Sequence, residues 1–187
     1  MNIIDRLSQS VPADGLESVE AGDGMPTVYV AREQLVETCR ALRDVQELRF
    51  SFLADITGVD YLPREPRFEV VYLLASLGVP GFGDTPARLR LKVRVPGGAD
   101  ARLPTVSEIW PAANWAEREV YDLFGIHFDS HPDLRRVLMP EDWEGFPLRK
   151  DYPVQIKQAV KVYEPLQVSQ EQFVASIDAT RERARND

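Results

Sequence analysis

Histidines and aspartates alternate in His127-Phe128-Asp129-Ser130-His131-Pro132-Asp133, a string whose ring nitrogens and carboxylates could ligate a metal ion. Zinc requires three or four ligands that converge at fixed geometry. Alternate residues in a loop between Gly125 and Pro132 do not enforce that convergence, and no His-Glu-x-x-His or Cys-x-x-Cys motif accompanies them. The expectation is no metal site, with structural histidines hydrogen-bonded to their neighbours. Glu117, Glu119 and Asp122 offer a second chemistry, general acid–base catalysis. That needs a carboxylate of shifted pKa with a nucleophile or metal at hand. No partner nucleophile is in view, so no catalytic residue is expected. The single cysteine, Cys39, falls in an apolar helical stripe and reads as a small buried hydrophobe. One cysteine excludes an internal disulfide. It also excludes an iron–sulfur cluster held by this chain alone, since a cluster takes about four thiolate ligands.

The carboxylates lie on a segment with its own start and stop signals. Asn114 is placed to cap a helix, with Glu117 reaching back to it and Gly125 ending it, which predicts a helix over about 115–124. Just upstream, Thr105-Val106-Ser107-Glu108 has the form of a capping box opening a short helix that Pro111 ends. At about 100° per residue, Ala116, Val120, Leu123 and Phe124 form an ordinary core face. Trp115, Arg118, Glu119 and Asp122 fall opposite, with Arg118 and Asp122 spaced to pair across one turn. A tryptophan beside an interlocked Arg/Glu/Asp group suits burial against another protein, where paired charges fix orientation.

Upstream segments supply the platform. Ile3, Ile4 and Leu7 predict a short helix, Thr27–Val30 a short strand, and the stripe Leu35, Val36, Cys39, Leu42, Val45 a helix over about 32–45. Strands are expected at Phe50–Asp60, around Phe68–Leu74, and where Leu89, Leu91, Val93 and Val95 alternate with Arg88, Arg90, Lys92 and Arg94. The loop Gly78–Asp84 joins the last two as a hairpin. The cationic strand face reads as a solvated, charge-protected surface, or else as a strip that steers an acidic partner.

The 187 residues hold 22 Lys+Arg and 30 Asp+Glu, a net charge of −8, which argues against nucleic-acid binding. Met1–Arg6 lacks a signal-peptide pattern. The uncharged run from Val70 to Gly83 is interrupted by Gly78, Pro80 and Gly81 and is too short to span a bilayer. A soluble cytoplasmic protein is expected, held at any membrane only through other proteins.

From His131 the character changes. Pro132, Pro140, Pro147, Pro153 and Pro165 break the chain into pieces too short for long helices or central strands. Between them Leu138, Met139, Trp143, Phe146, Leu148 and Tyr152 are interleaved with Arg135, Arg136, Arg149, Lys150 and Asp151. Such a segment is apolar without periodicity, which implies an arm packed along another surface, a partner chain in the first reading and its own domain in the second. Ser169–Arg183 predicts a charged terminal helix. The expected class is α+β. Residues 1–130 form a core domain, a small mainly antiparallel sheet with packed helices. Residues 131–187 form a proline-rich extended arm with a terminal helix.

The run Glu117-Arg118-Glu119-Val120-Tyr121-Asp122-Leu123-Phe124-Gly125-Ile126 and its continuation His131-Pro132-Asp133-Leu134-Arg135-Arg136 resemble the signature of the C-subunit family of proton-translocating NADH–quinone oxidoreductase, respiratory complex I. Leu138-Met139-Pro140-Glu141-Asp142-Trp143-Glu144-Gly145-Phe146-Pro147-Leu148-Arg149-Lys150-Asp151-Tyr152-Pro153 is similar to the family's closing block, and Phe52–Asp60 and Leu103–Val106 also match. The segment Val154–Ala159 is shorter than in family members and lacks their Arg-Tyr-Asp element. The resemblance implies a non-catalytic peripheral-arm component of complex I. It would brace two neighbours, the D subunit that forms the quinone pocket and the B subunit that holds the terminal iron–sulfur cluster. FMN, iron–sulfur clusters and quinone would all reside in other subunits, and none in this chain. It implies a peripheral place on the cytoplasmic face of the bacterial inner membrane. The equivalent component of a related membrane-bound hydrogenase or other quinone-linked complex is the alternative. The residues carried over as partner-interface determinants are Trp115, Arg118, Glu119, Asp122, His131, Arg135, Arg136, Trp143, Arg149, Lys150 and Asp151.

Overall fold

The computed structural model describes residues 3–11, 15–79, 86–153 and 169–186. The chain divides into two compact units, Met1–Pro153 and Val154–Asp187. Elements of the first are α1 (Ile3–Ser10), β1 (Leu16–Val19), β2 (Thr27–Val30), α2 (Leu35–Asp44), β3 (Phe52–Asp60), β4 (Phe68–Leu77), β5 (Pro86–Val95), β6 (Arg102–Pro104), α3 (Ala113–Phe124) and β7 (His127–Asp129). Residues 131–153, expected to belong to an arm, fold with this first unit.

Five strands form one sheet in the order β1-β2-β5-β4-β3. Every pairing is antiparallel except β2 with β5, where Val28 faces Leu91 in parallel register. The α+β class and mainly antiparallel sheet are as expected. Alternation along β5 buries Leu89, Leu91, Val93 and Val95 beside Phe68, Val70, Tyr72 and Leu74 of β4. Three of the four cations on the opposite face are paired at home: Arg90 with Asp23 at 2.6 Å, Lys92 with Glu69 at 2.9 Å, and Arg94 with Glu17 at 2.7 Å. β6 and β7 make a separate parallel pair that leads into and out of α3. Most of the expected hairpin loop lies outside the described residues.

The buried sheet face meets α2 and α3. Leu35, Cys39 and Leu42 of α2 are fully buried, and burial pushes the Cys39 thiol up, as an inert core residue requires. α3 crosses β3 at Gly58, where an added Cβ would stand 2.7 Å from the Phe124 ring. α3 ends as predicted at Gly125, whose φ of +69° is the left-handed cap that glycine adopts without strain. Its start differs from expectation. The helix begins at Ala113, no side chain caps it, and residues 107–109 form a single turn where a short helix was expected. The second unit contains α4 (Gln170–Asn186), opened by a reciprocal box in which the Ser169 amide donates to Gln172 Oε1 and the Gln172 amide to Ser169 Oγ.

Replacing Gly58 by alanine forces the Phe124 ring out of its seat. The expected cost is about 1–3 kcal/mol of overpacking, read as a lower urea midpoint with an unchanged slope.

Candidate functional site

The helix expected to face a partner carries a buried acid. Asp122 is fully shielded from solvent, and its Oδ2 accepts the successive amides of Val137 (2.9 Å), Leu138 (2.8 Å) and Met139 (2.9 Å). Its Oδ1 takes the Arg136 guanidinium at 2.7 Å. Burial alone would raise this carboxyl, but the three amides and Arg136 outweigh it and hold the group below the usual carboxylate range. Arg136 also donates to the carbonyls of Asp122, Trp143 and Gly145, and stacks 5.3 Å from the Phe146 centroid. The expected Arg118–Asp122 pair is therefore not formed. Arg118 instead donates to the Arg135 and Arg136 carbonyls at 3.1 and 3.3 Å and lies 4.8 Å from the Trp115 ring. An i, i+4 pair with the cation first is weak, and main-chain donors arriving from the arm displace it.

A second anchor holds the far end of the same segment. Arg67 grips Asp60 in bidentate fashion (3.0 and 2.8 Å) and Asp151 likewise (3.0 and 2.7 Å), while the Lys150 amide donates to Asp60 at 2.9 Å. Burial opposes ionisation of Asp60, yet Arg67 and the amides of Leu62 and Lys150 bring its carboxyl down to about 2. Arg149 lies between the Phe68 and Phe146 rings, 5.4 and 4.5 Å from their centroids, and donates to the Phe124 and Gly125 carbonyls. Burial, with Arg67 nearby, lowers its pKa. Residues 131–153 are thus clamped to their own domain. The expected tail beyond 153 falls largely outside the described residues.

The histidines occupy different surroundings. His127 is half exposed, 3.3 Å from Asp129, which also pairs with Arg102 at 2.8 Å. The His131 ring is buried, accepting the Asp133 amide on Nδ1 and lying 3.0 Å from the Asn114 carbonyl through Nε2. Among the described residues no three His, Cys, Asp or Glu side chains converge to hold a metal ion. Glu117, expected to close a capping box on Asn114, is buried and reaches the Val106 amide and Thr105 hydroxyl instead. Trp143 is half-buried, with no partner for its indole N–H among the described residues. Asp60, Arg67 and Thr105 were not foreseen as parts of this site. The one signal for Asp60 is its place on the core-facing register of β3, in step with Ile56 and Gly58.

What these clamps leave outside is chemically distinct. Trp115 is 64% exposed and Leu138 57%, on a frame fixed by Arg118 and Asp122. Glu119 is exposed on the same helix, Lys150 is exposed at the far anchor, and Arg135 lies on the surface paired to Asp133 at 2.6 Å.

Residues 28–158 match the family model described as respiratory-chain NADH dehydrogenase, 30 Kd subunit. The chain belongs to that family. It resembles the C subunit of the NADH-quinone oxidoreductase of Roseiflexus sp. (strain RS-1), with 48% identity over 81% of this chain and 83% of the relative. The protein of the same name from Geobacter sulfurreducens is 53% identical over 71% of this chain and 76% of its own. Among solved structures, Nqo5 of a trypsin-resistant fragment (1–134) superposes with a TM-score of 0.58 at 41% identity, covering 71% of this chain and all of the fragment. A chain of the membrane-bound sulfane sulfur reductase, an archaeal respiratory membrane complex, shares the fold: TM-score 0.68, 24% identity, 89% of this chain and 96% of its own. Membership of the 30 Kd family makes this chain a component of the NADH–quinone oxidoreductase complex.

Two outcomes follow for this 30 Kd family member. Asp122→Ala leaves Arg136 without its buried partner and three amides without an acceptor. A loss of about 3–5 kcal/mol is expected, with new trypsin cleavage at Arg135 and Arg136. Asp60 titrates at about 2 in the fold against an ordinary 3.8, so its stabilisation is present above about pH 4 and lost as pH falls through 2. Urea unfolding should show wild type losing on the order of 2 kcal/mol more than Asp60→Asn across that window.

Proposed function

We propose that this chain is a cofactor-free structural component of the peripheral arm of NADH–quinone oxidoreductase. It braces the D subunit at the quinone pocket and the B subunit at the terminal iron–sulfur cluster, while electrons pass from NADH to quinone through groups held by its neighbours. The observation that carries this reading is the exposed Trp115–Leu138 surface on a frame already satisfied from within. Tryptophan and arginine dominate interface energetics, and a frame that needs no reordering lowers the entropy lost on docking. Arg118, Glu119 and Arg135 would form the polar rim of that contact. The single buried cysteine supports a cofactor-free role, since cluster ligation takes about four thiolates. Association with the cytoplasmic face of the bacterial inner membrane would come through the complex. That is consistent with the described residues, which include no helix long and apolar enough to cross a membrane.

The test is a gentle detergent purification on a tag carried by this chain, comparing wild type with Trp115→Ala/Leu138→Ser. Wild type should bring down the B and D subunits with NADH–quinone activity. The double variant should recover about tenfold less complex while the isolated chain unfolds within about 0.5 kcal/mol of wild type. Equal recovery, or co-purification with the large subunit of a hydrogenase, overturns the reading.

A further inference from the structure

Glu117 closes a joint between several elements. It projects from the first half of α3 into the interior and is fully buried. From the turn between β6 and α3, the Val106 amide donates to Oε1 at 2.7 Å and the Thr105 hydroxyl lies 2.5 Å from Oε2. From the start of the arm, His131 Nε2 stands 3.8 Å from Oε2. From α2 and β4, the titratable neighbours are the buried Cys39 thiol and Tyr72 hydroxyl, both pushed up by burial and then by the charge of Glu117. Neither can neutralise a carboxylate. The His131 ring cannot gain a proton on Nδ1 without giving up the Asp133 amide that it accepts there.

An ionised Glu117 is therefore a buried anion with no counter-charge, a costly state. A protonated Glu117 is satisfied: Oε1 still accepts from Val106, and its O–H donates to Thr105, whose own proton can turn to Ser107 Oγ 2.9 Å away. We propose that Glu117 is a proton-operated lock, which when protonated fastens the β6–α3 turn to the core and when ionised releases it. Burial pushes this carboxyl up to about 7 against the pull of Thr105 and Val106. Because the folded value lies above the ordinary 4.5, the stabilisation is complete below 4.5 and is lost as pH rises through about 7. The lock concerns the chain itself and does not depend on which partners it meets.

Hydrogen exchange on the full chain, corrected for the intrinsic pH dependence of exchange, tests it across the neutral range that brackets this value. Protection in peptides holding Thr105–Trp110 should fall about tenfold from the acidic to the alkaline side in wild type. It should stay level in Glu117→Gln, with β4 and β5 unchanged in both. A fall of equal size in Glu117→Gln, or none in wild type, overturns the lock. Infrared spectroscopy of wild type needs no variant. A protonated carboxyl C=O band should be present on the acidic side and lost on the alkaline side, and its absence on the acidic side overturns the proposal.

Discussion

A carboxylate placed inside a protein must be surrounded by donors, because removing an ion from water costs several kcal/mol unless hydrogen bonds and an opposite charge replace the solvent. Asp122 sets that requirement on α3, and its own helix cannot meet it. The amides of Val137, Leu138 and Met139 and the guanidinium of Arg136 meet it together, which obliges the arm to run along the helix. The rest of that region is derivative. Arg136, once drawn in, gathers the carbonyls of Trp143 and Gly145, and Arg118 takes those of Arg135 and Arg136. Trp115 and Leu138 are left facing outward.

Irregular backbone must still satisfy its polar groups. Here the arm does so through side chains of the domain beneath it and through short turns of its own, such as Arg149 N–H to the Phe146 carbonyl, without a ladder or helix. Asp60 and Arg67 secure the far end, and Arg149 fills the space between two aromatic rings while capping the carbonyls at the end of α3. Fastening by charge at both ends fixes the course of an aperiodic segment without a ladder.

Local patterns were readable where a local rule decides the outcome. Alternation along β5, the Gly125 stop, the buried Cys39 and the Ser169 helix start depend on neighbours in sequence, and the structure follows them. Where long-range donors compete with local ones, the local rule fails. Glu117 has the spacing of a capping residue but is drawn to Thr105 and Val106. Arg118 and Asp122 have the spacing of a pair but each finds better partners in the arm. The pairing of Asp60 with Asp151 through Arg67 joins residues so far apart that only the folded sheet brings them together. The apolar, proline-broken arm reads first as packing on a partner and second as packing on its own domain, and composition alone does not settle between the two.

The order in which the chain is made adds a consequence of the Asp122 cage. Its donors lie 14 to 17 residues downstream of the acid. While the chain is emerging from a ribosome, α3 can be complete with its carboxylate still in water, and the helix cannot seat that face until residues 136–139 have cleared the exit tunnel. In the sheet beneath, Asp60 meets its counter-ion Arg67 only seven residues on, so that acid is paired before Lys150 and Asp151 arrive. The seating of α3 is thus timed by translation, and a nascent chain stalled with α3 outside the tunnel and residues 136–139 still within it would present an incomplete helix face to the quality-control machinery of the cell.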